Sequence, residues 1–159
     1  MHCYLICNAL HCTQLCQHMP ARAEGYSWSL IYSTAKHGFS LKTLYREMAK
    51  IDTPILLVIQ DTSGSVFGAL TSHPLRTSDL FYGTGESFLF TFYPDFEKFG
   101  WTGHNQYFIK GNCDSLVIGA GKYVCPSLHG TCVLSFSFGS LYPIACMHVI
   151  RFLRICFAS

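Results

Sequence analysis

The chain has 159 residues, of which half are apolar and 13% are charged, with a net charge of +2. That length suits one domain with a real hydrophobic core. The small charge balance excludes a partner chosen by charge alone, such as nucleic acid or an anionic membrane.

Taken in chain order, Cys3 and Cys7, then Cys12 and Cys16, sit at the i,i+4 spacing of one helix face, and Pro20 ends that stretch. Arg22-Ala23-Glu24-Gly25 reads as a linker. Trp28–Tyr32 alternates apolar with polar residues as a strand start does. Gly38 marks a turn, and Ser40 is the expected N-cap of a helix over Leu41–Lys50, with Leu41, Leu44, Tyr45 and Met48 on one face. Pro54–Gln60 is a short apolar run and predicts a buried strand. The turn signal Asp61-Thr62-Ser63-Gly64 joins it to a second strand over Ser65–Ser72. A loop follows from His73 to Ser78. Phe88, Phe90 and Phe92 predict a strand with aromatic residues on one face. Asn105–Lys110 and Ser115–Ile118 are further predicted strands. Short strands, frequent turns and one or two helices predict an α+β chain, mostly β, with antiparallel pairing.

The run Phe81-Tyr82-Gly83-Thr84-Gly85-Glu86-Ser87-Phe88-Leu89-Phe90-Thr91-Phe92 joins a glycine-hinged turn, one carboxylate and an aromatic strand. It resembles the central signature of the TLDc domain, which is shared by oxidation-resistance proteins and a nuclear receptor coactivator relative. Further segments resemble the family in order: Gln14–Arg22, Gly25-Tyr26-Ser27-Trp28, His37–Arg46, Val66-Phe67-Gly68-Ala69, Trp101-Thr102-Gly103-His104-Asn105, Phe108-Ile109-Lys110-Gly111 and Asp114-Ser115-Leu116. The resemblance implies a two-sheet antiparallel β-sandwich with flanking helices. It also implies a role in protection from oxidative damage and in binding and regulating the vacuolar proton pump (V-ATPase). No catalytic residue set follows from it, and the chain is expected not to be an enzyme.

The expected organisation is an unmatched segment over 1–13, a partial TLDc domain over 14–121, and an unmatched apolar tail over 122–159. The family's closing motifs are missing from Lys122–Ser159, so the sandwich is expected to be incomplete at the C-terminal side, with edge strands left unpaired. The tail offers replacement strand character at Cys132–Phe138. Gly121-Lys122-Tyr123 can be encoded by GGT-AAG-TAT, the form of an exon running into an intron. The tail is therefore expected to be translated intron or an alternative exon, which would make the chain a truncated isoform. Residues Tyr123–Ile150 carry no Asp, Glu, Lys or Arg and are long enough to span a bilayer. Pro126, Pro143, His129 and His148 lower its insertion tendency, so a misfit or aggregation-prone tail is expected, with a membrane anchor over 123–150 as the alternative.

Eight of the nine cysteines lie in the flanks and only Cys113 in the centre. A disulfide framework would staple the folded body, so a reducing compartment is expected: the cytoplasm, with nucleus or mitochondrion as alternatives. Met1–Leu15 lacks the positive start and the cleavage site of a secretory signal. His2, Cys3, Cys7, His11, Cys12, Cys16 and His18 lack the close cysteine spacing of structural zinc sites, and no metal or cofactor is expected.

Glu86 follows Gly83-Thr84-Gly85 and precedes an apolar strand. It reads as a partner contact, as a buried acceptor that orders the turn, or as a solvated side chain beside a tight bend. Gly83, Thr84, Gly85 and Glu86, with the loop His73–Asp79, form the candidate partner-binding surface. Cys113 is the candidate redox thiol. Paired with His104 it lacks a third orienting group and an oxyanion hole, so catalysis is not expected. The functional alternatives are a thiol-based redox or antioxidant enzyme and a truncated isoform with little activity.

Overall fold

A continuous apolar run, Ile55–Ile59, builds the molecule around one sheet buried on both faces. The computed structural model describes residues 9–120, 134–137 and 150–158. Helix α1 (Ala9–Cys16) and a 3-10 turn (Ala21–Ala23) lead into strand β1 (Trp28–Ser33). A single helical turn α2 (Thr34–His37) and helix α3 (Leu41–Met48) follow. Strands β2 (Ile55–Asp61), β3 (Val66–Thr71), β4 (Phe88–Thr91), β5 (Glu97–Gly100), β6 (Ile109–Gly111), β7 (Ser115–Ile118), β8 (Leu134–Ser137) and β9 (Ile150–Ala158) complete the described chain.

Two antiparallel sheets result. Six strands run in the order β1-β9-β2-β3-β4-β5, and three in the order β6-β7-β8. The α+β, mostly β class expected from the sequence is the one observed. Along β2 the side chains divide strictly by parity, as the pleat requires. Ile55, Leu57 and Ile59 join one core with α3 and with Phe108, Ile109, Leu116 and Ile118 of the small sheet and the segment before it. Leu56 and Val58 join a second core with Leu15 of α1, Ala23, Trp28, Phe88 and Phe90. In β1 the register shifts between Leu30 and Tyr32. One extra residue reverses which face the strand presents. Trp28 therefore packs in the second core and Tyr32 in the first.

Ser40 caps α3 as expected, its Oγ accepting the Thr43 N–H at 3.3 Å. Leu41, Leu44 and Met48 are buried against the first core. The strand expected over Asn105–Lys110 begins only at Ile109. Asn105 turns the chain before it: its side chain accepts the Tyr107 N–H at 2.9 Å and its carbonyl accepts the Trp101 Nε1–H at 2.6 Å. Strand β5 was not expected, because its charged residues Glu97 and Lys98 lie on a half-buried sheet edge.

Among the described residues, two tail segments carry strands. Leu134–Ser137, within the expected stretch Cys132–Phe138, pairs with β7. Strand β9 lies between β1 and β2 and pairs antiparallel with both. Apart from Leu134–Ser137 and Ile150, the segment weighed as a membrane anchor (123–150) lies outside the described residues, as do His2, Cys3 and Cys7. Among the described residues, no helix is long and apolar enough to cross a membrane.

Candidate functional site

The turn Gly83–Glu86 is anchored from below by a buried serine. Ser72 follows the last residue of β3 and is 2% exposed. Its Oγ accepts the Thr84 N–H at 2.8 Å and the Ser87 hydroxyl at 3.1 Å, and lies 3.0 Å from His73 Nδ1. Its own N–H donates to Ser87 Oγ at 3.0 Å. Buried hydroxyls need partners, and this pair satisfies each other and the turn backbone together. The Ser87 N–H closes the turn on the Thr84 carbonyl at 3.0 Å. Gly83 sits at φ 111°, where a side chain is strained, and a Cβ there would meet Phe108, Ile109 and Ser72 at 3.1–3.2 Å.

The same Ser72 reaches the other half of the site. Its carbonyl accepts from Arg22 Nη2 at 2.5 Å. That guanidinium nitrogen also pairs with Glu86 Oε2 at 2.7 Å. Arg22 belongs to the 3-10 turn Ala21–Ala23, whose neighbour Ala23 is buried in the second core. Arginine and carboxylate are thus placed by separate segments and meet above Ser72. Both side chains are about two-fifths exposed, 40% and 42%. Glu86 is a surface carboxylate held by a cation rather than a buried acceptor.

Trp101 closes the far side. A Cβ on Gly85 would stand 2.2 Å from Trp101 Cε3, so the indole lies directly against the glycine. Trp101 also packs edge-on against Phe108, with ring centroids 5.4 Å apart. Two shallow depressions flank Glu86. Arg22, His73, Thr84, Gly85 and Glu86 line one. The other is bounded by His18, Lys98 and Trp101 beside Gly85–Phe88. A carboxylate, a guanidinium, an imidazole and an indole thus stand around one turn.

The structure therefore brings together all of Gly83–Glu86 with the start of the loop His73–Asp79. Arg22, Ser72 and Trp101 were missed as site residues. Arg22 and Trp101 stand in segments that the sequence singles out, but nothing in the spacing shows that they converge on one turn. Cys113 lies elsewhere, exposed in the β6–β7 turn. It has no hydrogen bond to the exposed His104. Beneath that turn the Tyr45 hydroxyl donates to the carbonyls of Asn112 (3.1 Å) and Ser115 (3.3 Å). Burial, and then the nearby Tyr82, Asp114 and Cys113, push the Tyr45 phenol well above its usual range. Among the described residues no group of His, Cys, Asp and Glu could hold a metal ion.

Comparison with known proteins gives this surface its setting. The family model of the TLDc domain matches residues 2–143. The chain is 63% identical over 108 residues to Oxidation resistance protein 1 of Xenopus tropicalis, a match covering 68% of this chain and 12% of that one. The human Oxidation resistance protein 1 is 61% identical over 108 residues, with the same 68% and 12% coverage. Nuclear receptor coactivator 7 of Gallus gallus is 54% identical over 112 residues, covering 70% of this chain and 12% of that one. The chain thus spans about an eighth of the length of these relatives. By the family match and by this identity, the chain belongs to the TLDc domain family.

Proposed function

We propose that this chain is a non-enzymatic interaction module that acts in protection against oxidative stress by binding and regulating the vacuolar proton pump. The names of its relatives support the stress role. The observation that carries the interaction reading is the Arg22–Glu86 pair, 2.7 Å apart and half-exposed above the buried Ser72. A surface already fixed by its own hydrogen bonds loses little freedom when a partner docks, which favours binding. Eight of the nine cysteines lie in the flanks and only Cys113 in the folded centre, which supports the cytoplasm as the compartment.

The test is recovery of the pump from detergent extracts by the full chain. Wild type is expected to recover it, and Glu86→Ala to lower recovery several-fold. Equal recovery by both would remove Glu86 from the contact. No recovery by wild type would remove the pump as the partner.

A further inference from the structure

The loop between β3 and β4 also crosses to the edge of the small sheet. Thr77 bridges Gly111 and Tyr82 bridges Ile109. The Ser78 N–H donates to the Gly111 carbonyl at 2.8 Å, and Tyr82 and Ile109 exchange two backbone bonds at 2.9 and 3.0 Å. Between these anchors Ser78 Oγ donates to the Leu80 carbonyl at 2.7 Å and accepts the Leu80 N–H at 3.3 Å. The backbone of Leu80 is thus tied at both polar groups, yet its side chain is 77% exposed.

The residues that follow Leu80 carry aromatic rings with cations laid on them. The rings of Phe81 and the half-exposed Tyr107 lie 5.0 Å apart. The Lys110 ammonium sits 5.7 Å from the Phe81 ring centre, and the Arg76 guanidinium 4.9 Å from that of Tyr82. Cations laid on ring faces are held in place without being neutralised. Neither has a carboxylate partner among the described residues. Asp79, exposed beside Leu80, offsets one of the two positive charges. The patch is therefore apolar first and positive second.

We propose that this edge, formed by Leu80, Phe81 and Tyr107 with Arg76 and Lys110, docks a protein segment that presents an aliphatic or aromatic anchor flanked by carboxylates. A leucine displayed on a fixed backbone binds without first being ordered, and the tyrosine and arginine of the same edge are residue types that dominate the affinity of interfaces. The net positive charge that Arg76 and Lys110 leave over Asp79 selects the acidic flank. The inference rests on the reading of the chain as an interaction module, but not on Glu86 or on the pump.

A phage-displayed library of random short peptides, selected on the full chain and counter-selected on Leu80→Ser, tests it. Peptides that need Leu80 are expected to carry Leu, Phe or Trp next to Asp or Glu. Their Kd is expected to rise about fivefold or more when Arg76→Gln and Lys110→Gln are combined. All three positions are at the surface, and an unchanged near-ultraviolet circular dichroism spectrum verifies the fold of each variant. The proposal is overturned if no peptide depends on Leu80, or if the selected peptides are basic. It is overturned equally if Leu80 is needed for sedimentation with phosphatidylserine vesicles and not for peptide binding. Loss of pump recovery on Glu86→Ala is read in a separate assay, so the two readings fail separately.

Discussion

Gly85 is required by contact: the Trp101 indole occupies the space that a side chain would take. Gly85→Ala must swing Trp101 outward, breaking its bond to the Asn105 carbonyl and its edge-on packing on Phe108. Because Trp101 is already 42% exposed, the expected cost is modest, about 1 kcal/mol or a little more. Urea unfolding measures it, and tryptophan emission should shift to the red. A second residue-scale prediction concerns pH. Tyr45, Tyr82 and Tyr32 all have phenol pKa values raised above 10 by burial. The unfolded chain releases these protons first, so the stability they contribute is fully present below about pH 10 and is lost as pH rises beyond it. Phenolate absorbance should lag behind that of the exposed tyrosines until the chain unfolds, and Tyr45→Phe should flatten the alkaline fall in stability. Glu86 was legible because two glycines and a strand framed it. Ser72 was not, because a serine after a strand looks alike whether it is exposed or bonded to four neighbours.

Helix α3 shows what local sequence encodes well. Its cap, its apolar face and its start all follow from Ser40 and the spacing of Leu41, Leu44 and Met48. Ser40→Ala is expected to cost about 1 kcal/mol in chemical denaturation, with the m-value unchanged. Strands β2 and β3 were equally legible, since their apolar runs flank an Asp-Thr-Ser-Gly turn whose Asp61 accepts the Ser65 N–H at 2.8 Å. Strand β5 was not, because an edge strand half in water carries no hydrophobic signal. The late start of β6 was hidden too: the Asn105 side chain competes for backbone N–H groups that a strand would have used.

At the scale of the whole molecule, the fold class was readable from turns and alternation, but the position of β9 was not. Pairing partners far apart in sequence leave no local mark, and the register between them is set by burial. Ile155, fully buried opposite Leu57 and Tyr32, fixes that register from the first core, and Cys156 from the second. Ile155→Ala is expected to cost about 2–5 kcal/mol in thermal or urea unfolding. Arg154→Pro should abolish the cooperative near-ultraviolet transition, since an interior strand cannot spare a ladder donor. Strand β9 also has a consequence in time. On the ribosome β1 and β2 emerge early, yet the strand that separates them is made last of the nine described strands. Until it arrives, the nascent chain must keep two apolar strands apart that could pair with each other or with another chain. Such long-range closure is slow and invites aggregation, so the yield of folded protein should depend on chaperone capacity during synthesis more than on final stability.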